Sequence, residues 1–193
     1  MTLDASSPLP RPSEARLTLP RPDVPGWAGS PGTGAGLRDV MRGFATGVCL
    51  ATTYRDRQGD RQHDVLTVNS LTSLSLDPPL VAVSLRRDSA FLEDLKDSGA
   101  WAVSILAGGD SDVARSCARG RAARRDLVHE LPASPGSATG ALVMHGSSWL
   151  ECVTWASFDV GDHVLVVGEV VALNERGEDQ ALVFLHSRFH AVE

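Results

Sequence analysis

The residues best suited to chemistry in this 193-residue chain concentrate between Thr67 and Pro79, in the stretch TVNSLTSLSLDPP. Thr67, Asn69, Ser70, Thr72, Ser73 and Ser75 supply short donors and acceptors, interleaved with the apolar Val68, Leu71, Leu74 and Leu76. Hydroxyls and an amide on a stiff strand edge can hold an uncharged heteroaromatic ligand and a sugar-like tail through hydrogen bonds, with no formal charge. The same composition also describes a polar strand that shows its hydroxyls to water. His163 follows Gly161-Asp162 at the head of an apolar run. There its ring can point into a cleft while Asp162 influences its charge and tautomer, or it can serve as a hydrogen-bonded structural group. Ser89 reads as a helix opener, offering a hydroxyl and free backbone amides to an anion, with Arg86 nearby as a cation; plain N-capping accounts for Ser89 equally well.

These residues need strands and turns to position them. The alternation from Thr72 to Leu76 predicts a half-buried strand, stopped by Asp77-Pro78-Pro79 because proline fixes φ and lacks an amide donor. Upstream, Met1 to Gly36 is rich in proline, glycine and serine, shows no apolar period and is expected to be a mobile tail, with Trp27 its one large apolar group. Leu37, Val40, Met41 and Phe44 fall at i, i+3, i+4 and i+7, predicting a helix with one buried stripe that Gly47 can end. Val48–Thr53 and Asp64–Asn69 are predicted strands around a charged hairpin loop, Tyr54–Gln62. Leu80–Leu85 is a strand, followed by a helix from Ser89 that carries Phe91, Leu92 and Leu95 and ends at Gly99. Trp101–Leu106 is a strand, and a short helix runs through Cys117. Arg119 to Arg125, holding four arginines, reads as a solvated helix end or loop, or alternatively as an anion site. Pro132–Gly140 is loop-like, and strands return over Trp149–Phe158, His163–Leu173 and Ala181–His186.

Six or seven short strands with three helices at their edges predict a mainly β protein, an antiparallel barrel with helical additions. No glycine-rich dinucleotide fingerprint follows the first strand, which argues against a doubly wound sheet. One domain over 37–193 after the 1–36 tail fits the length. The hydrophobic share of 42% is that of a soluble globular protein, and a formal charge of -6 argues against a nucleic-acid binder. No apolar run is long enough for a membrane span, and no export signal is evident. Cys49, Cys117 and Cys152 have no paired spacing, so they read as reduced, buried small hydrophobes of an intracellular, cytoplasmic protein. The histidines and cysteines share no ligand spacing, so no metal site is expected. Glu169, inside an apolar strand, reads as a structural carboxylate needing a partner or water.

The central stretch, together with Phe44-Ala45-Thr46-Gly47-Val48, Gly161-Asp162-His163 and Gly168-Glu169-Val170, resembles the flavin reductase family, the reductase components of two-component flavin monooxygenases. The resemblance runs from about Leu37 to the C-terminus. It implies a Greek-key, FMN-binding split β-barrel that works as a homodimer. It also implies hydride transfer from NADH or NADPH to FMN or FAD, with the reduced flavin passed to a partner monooxygenase. Under this resemblance Thr67, Val68, Asn69, Ser70, Leu71, Thr72 and Ser73 contact the flavin ring edge and ribityl chain, and Ser84, Arg86 and Ser89 lie near its phosphate. His163 contacts the nicotinamide and is the candidate catalytic residue, with Arg188 and Phe189 forming the C-terminal wall of the nicotinamide site.

Three departures from the family pattern stand out. His63-Asp64-Val65-Leu66 precedes Thr67 where a glycine and a methionine are common. Arg124-Arg125-Asp126-Leu127 replaces an acidic-Arg-Phe signature, and Arg188 stands where glycine is common. Two other functions fit the same residues: a barrel that binds flavin or another planar ligand without turnover, and a flavoenzyme acting directly on an organic substrate.

Overall fold

A computed structural model describes residues 33–177 and 180–193; the expected tail up to residue 32, Trp27 included, lies outside the described residues. Helix α1 (Gly34–Met41) starts ahead of the predicted Leu37 because the Thr33 side chain accepts a hydrogen bond from the Gly36 amide, an N-cap. It ends at Met41, and Gly47 falls instead in the short strand β1 (Thr46–Gly47). The stripe Leu37, Val40, Met41 and Phe44, predicted to be buried, is 48–75% exposed. Periodicity identifies such a stripe but not what covers it.

Strands β2 (Cys49–Arg57) and β3 (Asp60–Val68) pair in register through a two-residue turn. Gln58 and Gly59 both have positive φ there, 51° and 87°, the turn whose twist matches antiparallel strands. The predicted loop Tyr54–Gln62 is therefore mostly strand. Its alternating charges belong to a solvent-facing extension of the hairpin. Next come β4 (Thr72–Leu76) and β5 (Pro79–Arg86), then α2 (Ala90–Ser98), which ends at Gly99 with a left-handed φ of 65° as predicted. Strand β6 (Ala100–Ile105) leads to three short helices, α3 (Ser111–Cys117), α4 (Arg121–Arg124) and α5 (Leu127–Glu130). A small ribbon of β7 (Ala133–Pro135) and β8 (Leu142–Met144), strands the sequence did not reveal, precedes the long hairpin of β9 (Trp149–Val160) and β10 (His163–Asn174). The described chain ends in β11 (Ala181–Leu185) and β12 (Arg188–Val192).

The main sheet has seven strands in the order β3-β2-β6-β9-β10-β5-β4, every neighbour antiparallel. Its two edge strands, β3 and β4, are joined by Asn69, Ser70 and Leu71 alone, so the sheet must curl until its edges approach without pairing. This open seam makes the barrel a split one. α2 closes one mouth, burying Phe91, Leu92 and Leu95 against Ala51, Val83, Trp101, Val103 and Val166. A second cluster joins Val48, Leu50 and Val65 to α3, α5, β8 and Leu182 of β11. All three cysteines are buried and free. Burial pushes the thiols of Cys49 and Cys152 up to about 12 and raises that of Cys117, so none is a thiolate near neutrality.

Two further residues fix the barrel's far side. Glu151 is fully buried, and its Oε2 accepts from the Ala138 and Thr139 amides (3.1 and 2.7 Å) and from Thr139 Oγ1 (2.8 Å), which pins the turn between β7 and β8. Glu169, by contrast, is exposed on β10 and so is not a buried carboxylate. At Gly168 an added Cβ would lie 2.3 Å from Cζ2 of the fully buried Trp101 and 2.9 Å from Cys152 Cβ. Gly168→Ala is therefore expected to destabilise the fold by about 1–3 kcal/mol through overpacking. Urea unfolding checks this, and an unchanged midpoint would remove Gly168 from the account of the core.

Candidate active site

The cavity sits at the seam. It has a volume of about 580 Å³, within the usual range for small-molecule sites. One wall is the end of β3 and the connector, Leu66 to Ser70; the other is the end of β5, Ser84 to Arg86, with His163 of β10 beside it. Asp88, Ser89 and Ala90 form the lip at the start of α2, and Arg121 and Arg124 reach in from α4. The opening follows from the register. β4 pairs with β5 only as far as Thr72 opposite Ala82, so the edge of β5 beyond that point has no strand beside it. Ser70 takes the missing strand's place: its hydroxyl donates to the Ser84 carbonyl (3.0 Å) and accepts from the Ser84 amide (3.1 Å).

Of the residues the sequence singled out, Thr67, Val68, Asn69, Ser70, Ser84, Arg86, Ser89 and His163 all line this one cavity. Several are already engaged. Thr67 Oγ1 donates to the Ala114 carbonyl of α3 (2.7 Å), fixing the end of β3 against that helix. Asn69 Nδ2 donates to Thr46 Oγ1 (3.1 Å), which leaves the amide oxygen uncommitted. Leu71, Thr72 and Ser73 do not line the cavity; Leu71 packs on the core, and Thr72 and Ser73 are exposed on β4. Arg188 and Phe189 also stand apart on β12, where the Phe189 ring packs on Phe184 with centroids 5.3 Å apart.

His163 is paired across the sheet with Arg86, at the rim of the cavity. Its Nδ1 lies 2.8 Å from Asp162 Oδ1. An ionised carboxylate only accepts, so Nδ1 carries the proton and Nε2 is the nitrogen left for a ligand. The hydrogen bond and charge of His163 hold the Asp162 carboxyl below the ordinary carboxylate range. Arg86, read from sequence as the cation for an anionic group, is forked onto Asp88 (2.9 and 2.8 Å), whose carboxyl that pairing lowers. Its charge is thus locally balanced.

The cations that the sequence reading left to solvent sit deeper. In the Arg119–Arg125 segment, Arg119 and Arg125 are exposed, but Arg121 is half-buried and Arg124 is 5% exposed. Arg124 Nη2 contacts both oxygens of the buried Asp64 at 3.1 Å. Arg121 pairs with the buried Asp94 through Nη2, and its Nη1 donates to the Ala90 carbonyl (3.3 Å). The signal was present as two acidic residues within apolar patterns, Asp64 beside Val65 and Asp94 beside Leu95. Charge runs usually mark solvated faces, and only the fold brings these acids beneath α4. Among the described residues no group of three or more His, Cys, Asp or Glu side chains could hold a metal ion.

Comparison with known proteins agrees with this architecture. The chain is 35% identical over 164 residues to the NADH flavin reductase of Kitasatospora aureofaciens, covering 84% of this chain and 81% of that protein. It is 33% identical over 141 residues to the reductase component of the flavin-dependent trigonelline monooxygenase of Acinetobacter baylyi. That match covers 73% of this chain but spans 44% of the relative's length. Among solved structures, the flavin reductase component of a bacterial two-component tryptophan halogenase superposes with a TM-score of 0.75 at 34% identity, covering 82% of this chain and 97% of that one. The family model of the flavin reductase like domain matches residues 41–193, and the chain belongs to that family.

Proposed function

We propose that this protein is an NADH-dependent flavin reductase that supplies reduced flavin to a separate monooxygenase. The observation that carries the reading is the seam cavity: hydroxyls, an amide and two uncovered strand edges on one side, with a histidine of fixed tautomer at the rim. The residues of that edge would hold a flavin, which would supply the hydride-accepting chemistry. Hydride, two electrons with one proton, would pass from NADH to the bound flavin, leaving oxidised nicotinamide. The chain's own contribution is to orient the two rings and exclude water. The flavin reductases among the relatives, and the monooxygenase and halogenase systems that two of them serve, support this assignment.

In this reading the backbone edges and Asn69 hold the flavin, while His163 Nε2 contacts the nicotinamide carboxamide. Asp162 is a positioning residue that keeps the proton on Nδ1. The protein works as a pair of copies. An apolar surface left bare by a single chain supports that: the α1 stripe of Leu37, Val40, Met41 and Phe44. No helix among the described residues is long and apolar enough to cross a membrane, and free cysteines suit the reducing cytoplasm.

Purified protein mixed with NADH and FMN or FAD is expected to consume absorbance at the nicotinamide band; no turnover with either flavin would refute the assignment. Because one hydrogen bond is worth about a factor of ten, His163→Ala is expected to raise the KM for NADH about tenfold and that for flavin by less than about threefold. Steady-state kinetics with each substrate varied in turn decides this, and an equal effect on both removes His163 from the nicotinamide site. Asn69→Ala should weaken flavin binding with the unfolding midpoint unchanged. Val40→Asp is expected to shift the sedimentation mass from two copies toward one, and an unaltered mass would take α1 out of the interface.

A further inference from the structure

The carboxylate that fixes the His163 tautomer stands on an exposed turn. The Asp162 side chain is 93% exposed, and its hydrogen bond to Nδ1 is made to its own neighbour in the chain. Gly161 and Asp162 form the two-residue turn between β9 and β10, where His163 pairs with Val160 and Gly161 takes a left-handed φ of 59°. Glycine in the first central place suits such a turn, but neither turn residue is buried, so packing does not hold it. An exposed ion pair contributes little by itself, because water competes for both partners. The Asp162–His163 bond therefore persists only while the backbone beneath it is fixed.

One residue of the connection between β5 and α2 supplies that fixing. Arg87 donates its backbone amide to the Asp162 carbonyl (3.0 Å) and its Nη2 to the Gly161 carbonyl (2.8 Å), and its Nη1 lies 3.6 Å from Asp159 Oδ2. Both carbonyls of the turn thus accept from the same residue. The amide contact carries the β5–β10 ladder one step past the Arg86–His163 pair, and every residue but proline could make it. The guanidinium contacts are particular to arginine, whose planar fork can serve a carbonyl and a carboxylate together. Arg86 and Asp88, on either side, line the cavity and bind each other, whereas Arg87 lies outside the cavity and turns to the hairpin.

We infer that Arg87 is a positioning residue for the nicotinamide contact: its guanidinium clamps the Gly161-Asp162 turn to the β5–α2 connection and so keeps the Asp162 carboxylate on His163 Nδ1. The inference rests on the reading of His163 given above and deepens it. With the proton on Nδ1, Nε2 is an acceptor and suits the N–H of a carboxamide; with the proton on Nε2 it becomes a donor and meets that N–H unfavourably. Without the clamp the turn swings about Gly161, the carboxylate leaves Nδ1, and the ring populates both tautomers. Arg87 acts through His163 and touches neither substrate.

The test joins kinetics of the full chain to a direct view of the imidazole. Arg87→Ala is expected to raise the KM for NADH about threefold, the scale of one exposed hydrogen bond, and that for flavin by less than about 1.5-fold. In a His163→Ala background the same substitution should add nothing, because no ring is left to misplace. NMR spectra of the ligand-free protein at alkaline pH, correlating the ring protons of His163 with its two nitrogens, should show the proton on Nδ1. Arg87→Ala should move the population toward Nε2. An unchanged tautomer in a folded Arg87→Ala protein, equal rises in both KM values, or an undiminished rise in the His163→Ala background would each overturn the clamp. A tautomer shift with the KM for NADH unaltered keeps the clamp and sinks the nicotinamide reading of His163, so the two failures are told apart.

Discussion

The site depends on one piece of strand geometry. β3 and β4 are the two edges of a seven-stranded sheet, yet only Asn69, Ser70 and Leu71 separate them in the chain. So short a connector keeps the two edges close, yet no hydrogen-bonded ladder joins β3 to β4. A fully closed barrel would have satisfied every backbone group and left no room. Here the Ser70 hydroxyl answers both polar groups of Ser84, closing the seam at one point. The remaining edge groups of β5 face the cavity, where a planar ligand can use them.

Around this seam the protein separates two electrostatic tasks. The rim carries paired, solvent-screened charges, Arg86 with Asp88 and His163 with Asp162. Exposed pairs of this kind contribute little to stability but set orientation and tautomer. The floor carries the buried arginine–aspartate cluster, where water is scarce and each charge requires a near neighbour. A ring that must stay electronically accessible sits best against neutral hydroxyls and amides. The hydrogen bonds that hold the walls, Thr67 to Ala114 and Asn69 to Thr46, tie the seam to α3 and to β1.

The far side of the barrel is held by stricter packing. Gly168 lets β10 pass over Trp101, and Glu151 anchors the turn beside β8 with three donors to one carboxylate oxygen. These contacts keep the β9–β10 hairpin in register, and that register puts His163 opposite Arg86 at the cavity's rim. The outward face that remains, the α1 stripe, is apolar without cover.

Local rules were enough to determine much of this protein. The 3.6-residue period, the Ser89 and Gly99 helix ends and the double-proline stop depend on neighbours a few residues apart, so the sequence specifies α2, β4 and β5, while the family resemblance is what brings Thr67 to Ser70, Ser84, Ser89 and His163 under suspicion together. It could not specify what lies across the seam. Whether an arginine in Arg119–Arg125 meets water or an aspartate is decided by β3 and α2, respectively 57 and 27 residues away for Asp64–Arg121 and Asp94–Arg121. Burial of a charge is a property of the assembled barrel. The Arg86–Asp88 pair, two residues apart, is local by contrast; amphipathicity and charge are written in the chain, but a distant partner is chosen by curvature and register, which exist only once the sheet has closed around its core.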